Sequence, residues 1–344
     1  MPMSNFYDDL PIVDAHHHLW DLEGDLTYPW LADDEHAYMG DNSALRRSYL
    51  APEYRRDTAL HNVVATVHVE AECDRRRQVE ETEWLTRISV AHGMPNAIVA
   101  HAWIDEPNSE EIIIRQKALP LVRGIRTKPI ISKGPDDSVR GQPRSMQDPR
   151  WRNGLSLLVK HDLSWDLRVT WWHLEEAAEV VRDHPQLRVA LNHTGYPLDR
   201  SLEALNVWRR GMEALAALPN NVHCKISGLT VLGQPWTLAA NQPIISEAIR
   251  IFGVDRCMFA SNFPVDGLKG SWDYLYSCFK KATAEMPLAD RKKLFSENAL
   301  RFYRISLAEE RVTPEPSHSS DATAGRMRSQ NRHAMRYDQP SAAV

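Results

Sequence analysis

Apolar residues in this chain come in short runs set between longer amphipathic stretches. β-rich runs occupy 11–16 (PIVDAH), 62–70 (NVVATVHVE), 96–104 (NAIVAHAWI) and 121–127 (LVRGIRT). Four more follow at 164–169 (SWDLRV), 187–192 (LRVALN), 222–227 (VHCKIS) and 256–261 (RCMFAS). Between most of them the apolar spacing changes to that of a helix. Residues 75–91 carry Val79, Leu85 and Ile88 on a charged background. Residues 148–160 open on Asp148-Pro149, a helix-start signal, and carry Leu155, Leu158 and Val159. Segments 173–182, 202–218, 244–251 and 287–303 complete the helical set. Eight strands alternating with helices predict an α/β fold of the (β/α)8 TIM-barrel type. An open doubly wound sheet would place a Gly-rich turn after an early strand, and no G-x-G-x-x-G occurs here.

The pattern stops near residue 308. Residues 1–308 are expected to form one barrel domain. From 309 to 344, Ser, Arg, Asp, Gln and Pro dominate and large aliphatic residues are sparse. Such a stretch buries too little apolar area to offset its ordering entropy, so a disordered tail is expected. Two inserts interrupt the barrel: a long one between the first two strands, 19–60, and a Gly-, Pro- and charge-rich one at 128–147. Loops that follow barrel strands lie on the catalytic face, so both are lid candidates.

Composition narrows the classes. Of 344 residues 43% are hydrophobic, enough for a full core, and the net charge is −5, which argues against nucleic acid as a partner. No apolar run reaches the roughly 20 residues of a membrane span. The first residues, MPMSNFYDDLPIVD, lack the basic and apolar regions of a secretory signal. Four cysteines without a C-x-x-C pair suit buried thiols in a reducing cytoplasm. The expected partner is a small-molecule substrate, and the sequence is compatible with a homo-oligomer.

Candidate chemistry gathers at strand ends. In Asp14-Ala15-His16-His17-His18 the alternation of an extended strand puts Asp14, His16 and His18 on one face and His17 on the other. Two imidazoles at i and i+2 can grip one cation. His193 ends the sixth strand before Thr194-Gly195, where a barrel presents catalytic groups. Asn262 ends the eighth strand, but an amide cannot accept a proton at neutral pH. Asp266, four residues on, is a candidate carboxylate in its place, as are Glu70 and Glu72 after the second strand. Arg126 offers a planar fork to a substrate carboxylate, and Lys128, Arg168 and Lys225 add positive charge. Trp20, Trp30, Trp103, Trp171 and Trp172 are candidates for the walls of a ring-binding cleft. His68, His101 and His173 are read as supporting rather than ligating residues.

The stretches IVDAHHHLWD, YPWL, VRGIRT, LSWDL, LRVALNHTG, NVHCKISGL and CMFASNFPVD, in that order, resemble the lactonase-like branch of the amidohydrolase family 2 proteins. Sugar-acid lactonases such as fuconolactonase and pyrone dicarboxylate lactonase belong to that branch. The resemblance implies a (β/α)8 barrel, ring-opening hydrolysis of a lactone, and His16, His18 and His193 as the metal or carbonyl-holding set. It implies one divalent metal, zinc by ligand type, or a metal-free site. The fourth strand (VRGIRTK) shows no obvious lysine to bridge two metals. The family's last-strand Asp is Asn262 here, which moves the proton-relay task to another carboxylate. A metal-dependent decarboxylase on the same barrel, or a barrel that binds ligand without turnover, are the alternatives.

Overall fold

The computed structural model describes residues 9–32, 40–218 and 222–307. The proposed tail lies outside the described residues. Eight strands, β1 (Ile12–His17), β2 (Val63–Val69), β3 (Ala97–Ala100), β4 (Val122–Ile125), β5 (Ser164–Leu167), β6 (Val189–Leu191), β7 (Val222–Ile226) and β8 (Cys257–Phe259), form one sheet in chain order. Every neighbouring pair is parallel. The ring closes where β8 runs out beside β1: His18 N donates to Phe263 O (2.7 Å) and Asn262 N to His16 O (2.7 Å). The barrel reading of the sequence is therefore correct, and closure leaves no sheet edge to protect.

Eleven α-helical segments occur among the described residues: α1 (Pro29–Ala32), α2 (Ala51–Asp57), α3 (Gln78–His92), α4 (Ser109–Lys117), α5 (Pro149–Lys160), α6 (Leu174–Arg182), α7 (Leu202–Ala216), α8 (Leu238–Phe252), α9 (Trp272–Ala282), α10 (Leu288–Lys292) and α11 (Asn298–Tyr303). Their starts follow side-chain chemistry. Asp148 Oδ1 accepts from Arg150 N (2.9 Å) at the head of α5, and Ser271 Oγ accepts from Tyr274 N (3.0 Å) at the head of α9. α3 stops at Gly93, whose φ of 69° needs no Cβ. The apolar spacing did not announce α2, α4 or α9. It placed the start of α8 at Ile244, whereas the helix begins at Leu238, before Pro243, with Thr237 capping Ala240 N. The single helix expected over 287–303 is broken by a π turn, Lys293–Glu297, between α10 and α11.

Two apolar layers hold the barrel. Large side chains such as Trp151, Trp165, Trp208 and Phe259 fill the space between sheet and helices. Inside the ring the residues are small or unbranched: Val13, Ala15, Val67, Val99, Ala190 and Met258, packed with Phe302 and Tyr303 from α11. Burying one such aromatic contributes about 1.5–3 kcal/mol. No described helix is long and apolar enough to cross a membrane.

Candidate active site

β1 delivers two imidazoles through an irregularity. Val13 and Ala15 point into the ring. The register with β2 then slips between Asp14 and His17. His16 and His18 consequently meet at the mouth, with Nε2 to Nε2 at 3.2 Å. Asp14 does not share their face, contrary to the strict alternation. It lies with His17 against Tyr54: Tyr54 Oη donates to Asp14 Oδ2 (2.8 Å), and the His17 and Tyr54 rings are 4.6 Å apart. Ser261 donates to the same carboxylate through N (2.8 Å) and Oγ (2.6 Å). A buried carboxylate is held where its donors are, and these donors lie on the outer side and tie β1 to the end of β8.

His193 joins from the end of β6. Its ring centroid is 4.6 Å from that of His16. The chain there is unusual: His193, Thr194, Gly195 and Tyr196 all have positive φ, between 49° and 69°. Such backbone costs on the order of 1 kcal/mol or more for each non-glycine residue and clusters at functional sites. Gly228, at φ 58°, lets β7 pass close by, since a Cβ there would lie 2.6 Å from His193 Cγ. The rings are anchored from behind. His18 Nδ1 sits 2.7 Å from Val69 O, and His193 Nδ1 2.9 Å from Ser227 Oγ. Burial holds all three imidazoles neutral. It lowers His18 to about 3, and His16 and His193 well below the usual imidazole value, with nearby cations adding to the effect.

Asn262, also at positive φ (54°), donates through Nδ2 to Asp266 Oδ1 (2.8 Å). Gly228 N donates to Asp266 Oδ2 (3.0 Å). Burial pushes this carboxyl up to about 7, against the opposing pull of those two hydrogen bonds. Burial also acts on Glu70 and Glu72, but cations outweigh it and keep both ionised: Arg126 and Arg75 at Glu70, Lys128 at Glu72. Arg126 Nε and Arg75 Nη1 each lie 2.6 Å from a Glu70 oxygen, and Lys128 pairs with Glu72.

A cleft of about 820 Å³, open mouth included, lies over these groups. Its walls include His18, Trp30, Glu72, Arg126, Arg168, His193, Tyr196, Asn262, Asp266 and Lys269. Several expected contacts are not in it. Trp20 is fully buried, donates to Arg47 O (2.7 Å) and backs Trp30 edge-on at 5.5 Å. Lys225 is fully buried and paired with Asp166 (2.5 Å), which also accepts from Tyr303. Glu70 spends its oxygens on Arg126 and Arg75, so it orients Arg126 rather than a ligand. Trp103, Trp171 and Trp172 also lie outside the lining. The first insert reaches the cleft through Trp30. The second supplies no lining residue and packs instead on His173, which accepts from Ser132 N (2.9 Å). Tyr196, Gly228 and Lys269 escaped the sequence reading. Strained backbone and loop course leave no mark in residue types that would single these three out.

The imidazole pair suits a cation in donor type and spacing. Two nitrogens about 2.0–2.1 Å from a tetrahedral zinc lie roughly 3.3 Å apart, close to the 3.2 Å between His16 and His18. His18 Nδ1 is already anchored on a backbone carbonyl, as in ligating histidines. Among the described residues no group of three His, Cys, Asp or Glu side chains is closed around one point. His193 stands next to the pair as the nearest further donor.

Imidazoles, a carboxyl poised near neutrality and an amide, at the C-terminal mouth of a parallel barrel, define a (β/α)8 hydrolase. The family model described as amidohydrolase matches residues 13–305, so the chain belongs to the amidohydrolase family. A Sinorhizobium fredii protein named uncharacterized protein y4mH is 38% identical over 298 residues, 86% of this chain and 99% of its own. An L-fucono-1,5-lactonase of Burkholderia ambifaria is 28% identical over 300 residues, 85% of this chain and 95% of its own. A crystal structure of an amidohydrolase from Burkholderia multivorans with bound zinc superposes with TM-score 0.71 at 26% identity, over 86% of this chain and 99% of that one.

Proposed function

We propose that the protein opens a small lactone by hydrolysis. The observation that carries this reading is Asp266: a cleft-lining carboxyl pushed up to about 7, fixed by Asn262 and Gly228 beside neutral imidazoles. A group with that proton affinity takes and returns a proton near neutral pH with little penalty either way. The likeness to fuconolactonases supports an ester-type ring as the target.

Ionised Asp266 takes a proton from water as the water oxygen bonds to the lactone carbonyl carbon. With Ser227 Oγ–H donating to its Nδ1, His193 carries its proton on Nε2 and donates to the developing oxyanion. One preorganised donor of this kind contributes typically about 3 kcal/mol. The bond from the carbonyl carbon to the ring oxygen then breaks, and Asp266 returns the proton to that oxygen. The product is an open hydroxy acid. Trp30 and Tyr196 flank the ring. A divalent cation, when bound, would be held by His16 and His18 and would supply Lewis-acid polarisation of the carbonyl. His193 would join them only in its other tautomer, with Nδ1–H donating to Ser227 Oγ and Nε2 free, in which case its role at the oxyanion passes to the cation.

A panel of sugar-derived and carboxylated lactones tests the reading, with acid release followed by a pH indicator. Acid release well above spontaneous opening supports it. Carbon dioxide release from an aromatic acid with no lactone opening would replace it with decarboxylation. Ligand-induced stabilisation without turnover of any panel member would replace it with a binding role.

A further inference from the structure

The cleft wall that carries Trp30 and Glu72 is held from behind by a residue outside the cleft. β2 makes its last sheet bond at Glu70, whose N–H donates to Val99 O (2.8 Å). The next two backbone donors leave the sheet and find carboxyl groups. Ala71 N donates to Glu81 Oε1 (2.9 Å), and Glu72 N to Glu70 Oε2 (2.9 Å). Glu81 lies on α3, is buried and does not line the cleft, whereas Trp30, Ala71, Glu72 and Arg126 do. The turn is strained. Glu72 has a φ of 58°, a conformation that persists only where neighbours enforce it.

A trans peptide is planar, so its N–H and C=O point in opposite directions and turn together. The Glu70–Ala71 peptide gives its N–H to Glu81, and its C=O accepts from Arg126 Nη2. Arg126 Nε lies 2.6 Å from Glu70 Oε1 as well. One peptide further on, Ala71 O accepts from the Trp30 indole N–H (2.7 Å). Glu81 therefore sets the direction of a turn on which a cleft guanidinium and a cleft indole both lean. A buried N–H stripped of its acceptor is costly, so without Glu81 the turn would rotate toward another acceptor or toward water. Burial, with the charge of Glu70 adding to it, pushes the Glu81 carboxyl up to about 7. Protonated or ionised, a carboxyl keeps an oxygen that accepts, so the turn needs accepting capacity rather than charge. We infer that Glu81 is a positioning residue for the cleft: by holding the turn 70–72 it fixes Arg126 and Trp30 for ligand binding. The consequence for KM rests on the lactone reading above.

The test compares wild type, Glu81→Met and Glu81→Gln, the last keeping an amide oxygen that can accept from Ala71 N. Glu81→Asp, one carbon too short to reach Ala71 N, stands in should Glu81→Met not fold. Kinetics use the lactone of the panel that wild type opens fastest, below the melting range of every variant. Amide hydrogen exchange, read by mass spectrometry, follows the segments 28–32 and 70–73 in the same proteins. Glu81→Met is expected to raise KM about tenfold, the scale of one hydrogen bond, with kcat within about twofold of wild type. Exchange should quicken about tenfold in both segments, where Ala71 N–H loses its acceptor and Leu31 N–H, bonded to Tyr28 O (3.0 Å), loses the support of Trp30. Glu81→Gln should restore both readouts. A merely structural role would lower the melting temperature of Glu81→Met and leave KM unmoved, and that result overturns the proposal. Unchanged exchange over 70–73, or a KM that stays raised in Glu81→Gln, overturns it too. If no lactone opens but exchange quickens in Glu81→Met and recovers in Glu81→Gln, the lactone reading fails while the positioning of the wall stands. If nothing opens and exchange does not move, both fail.

Discussion

Replacing Asp266 with Asn probes the site most directly. The two side chains have nearly the same shape, and the amide oxygen can still accept from Asn262 Nδ2 or Gly228 N. What disappears is the proton affinity. In the folded protein the carboxyl ionises near pH 7 instead of 3.8, so forming its charge in the cleft costs about 4 kcal/mol more than in water. Two consequences follow, one for rate and one for stability. As general base, Asp266 must be ionised, so kcat/KM for wild type should rise with pH through about 7 and then level off. Asp266→Asn should lose about a hundred- to ten-thousandfold in rate, equivalent to about 3–5 kcal/mol in barrier, and lose that limb of the profile. For stability, the folded value is raised. The contribution is therefore fully present below 3.8 and is lost as pH climbs through about 7. Urea denaturation at pH 5 and pH 8 should show wild type losing about 2.5 kcal/mol relative to Asp266→Asn across that interval, the part of the full change that falls between those pH values. A variant that keeps the wild-type pH–rate limb, or tracks wild-type stability at both pH values, refutes the role given to this carboxyl.

Other outcomes follow from the same geometry. Asn262→Asp sets a second carboxylate against Asp266 Oδ1, where the amide now donates at 2.8 Å; the pair must share a proton, so the limb of the pH–rate profile should move above 7, and an unmoved limb counts against the contact. Gly228→Ala drives a Cβ to 2.6 Å from the His193 ring at a φ of 58°; about 1–3 kcal/mol of stability should be lost in urea titrations, with activity falling more than stability explains. Equilibrium dialysis against zinc should load roughly one ion per chain in wild type and none in His16→Ala; equal loading of the two proteins would remove His16 from the ligand set.

The barrel was legible because its signals are local. Alternating periodicities mark strands and helices, and short runs rich in β-branched residues between turn signals, such as Val63–Val69 and Val222–Ile226, favour strands over helices. The candidate residues His16, His18, His193, Asn262 and Asp266 could be listed for the same reason: barrel strands present their last residues at one mouth. The helices that went unread, α4 and α9 among them, are short or depend on caps and tertiary packing.

Residue types and their spacing determined that this chain forms a (β/α)8 barrel, and which strand ends carry polar groups. The tertiary structure decided what each polar group does. It put Asp14 on the outer side, because Tyr54 and Ser261 offered hydrogen bonds there. It locked Glu70 and Lys225 into buried pairs and left Lys269 facing the cleft. It set Asp266 near neutrality by burial. Charge, proton affinity and contact depend on neighbours brought together from distant parts of the chain, and no linear pattern records those distances.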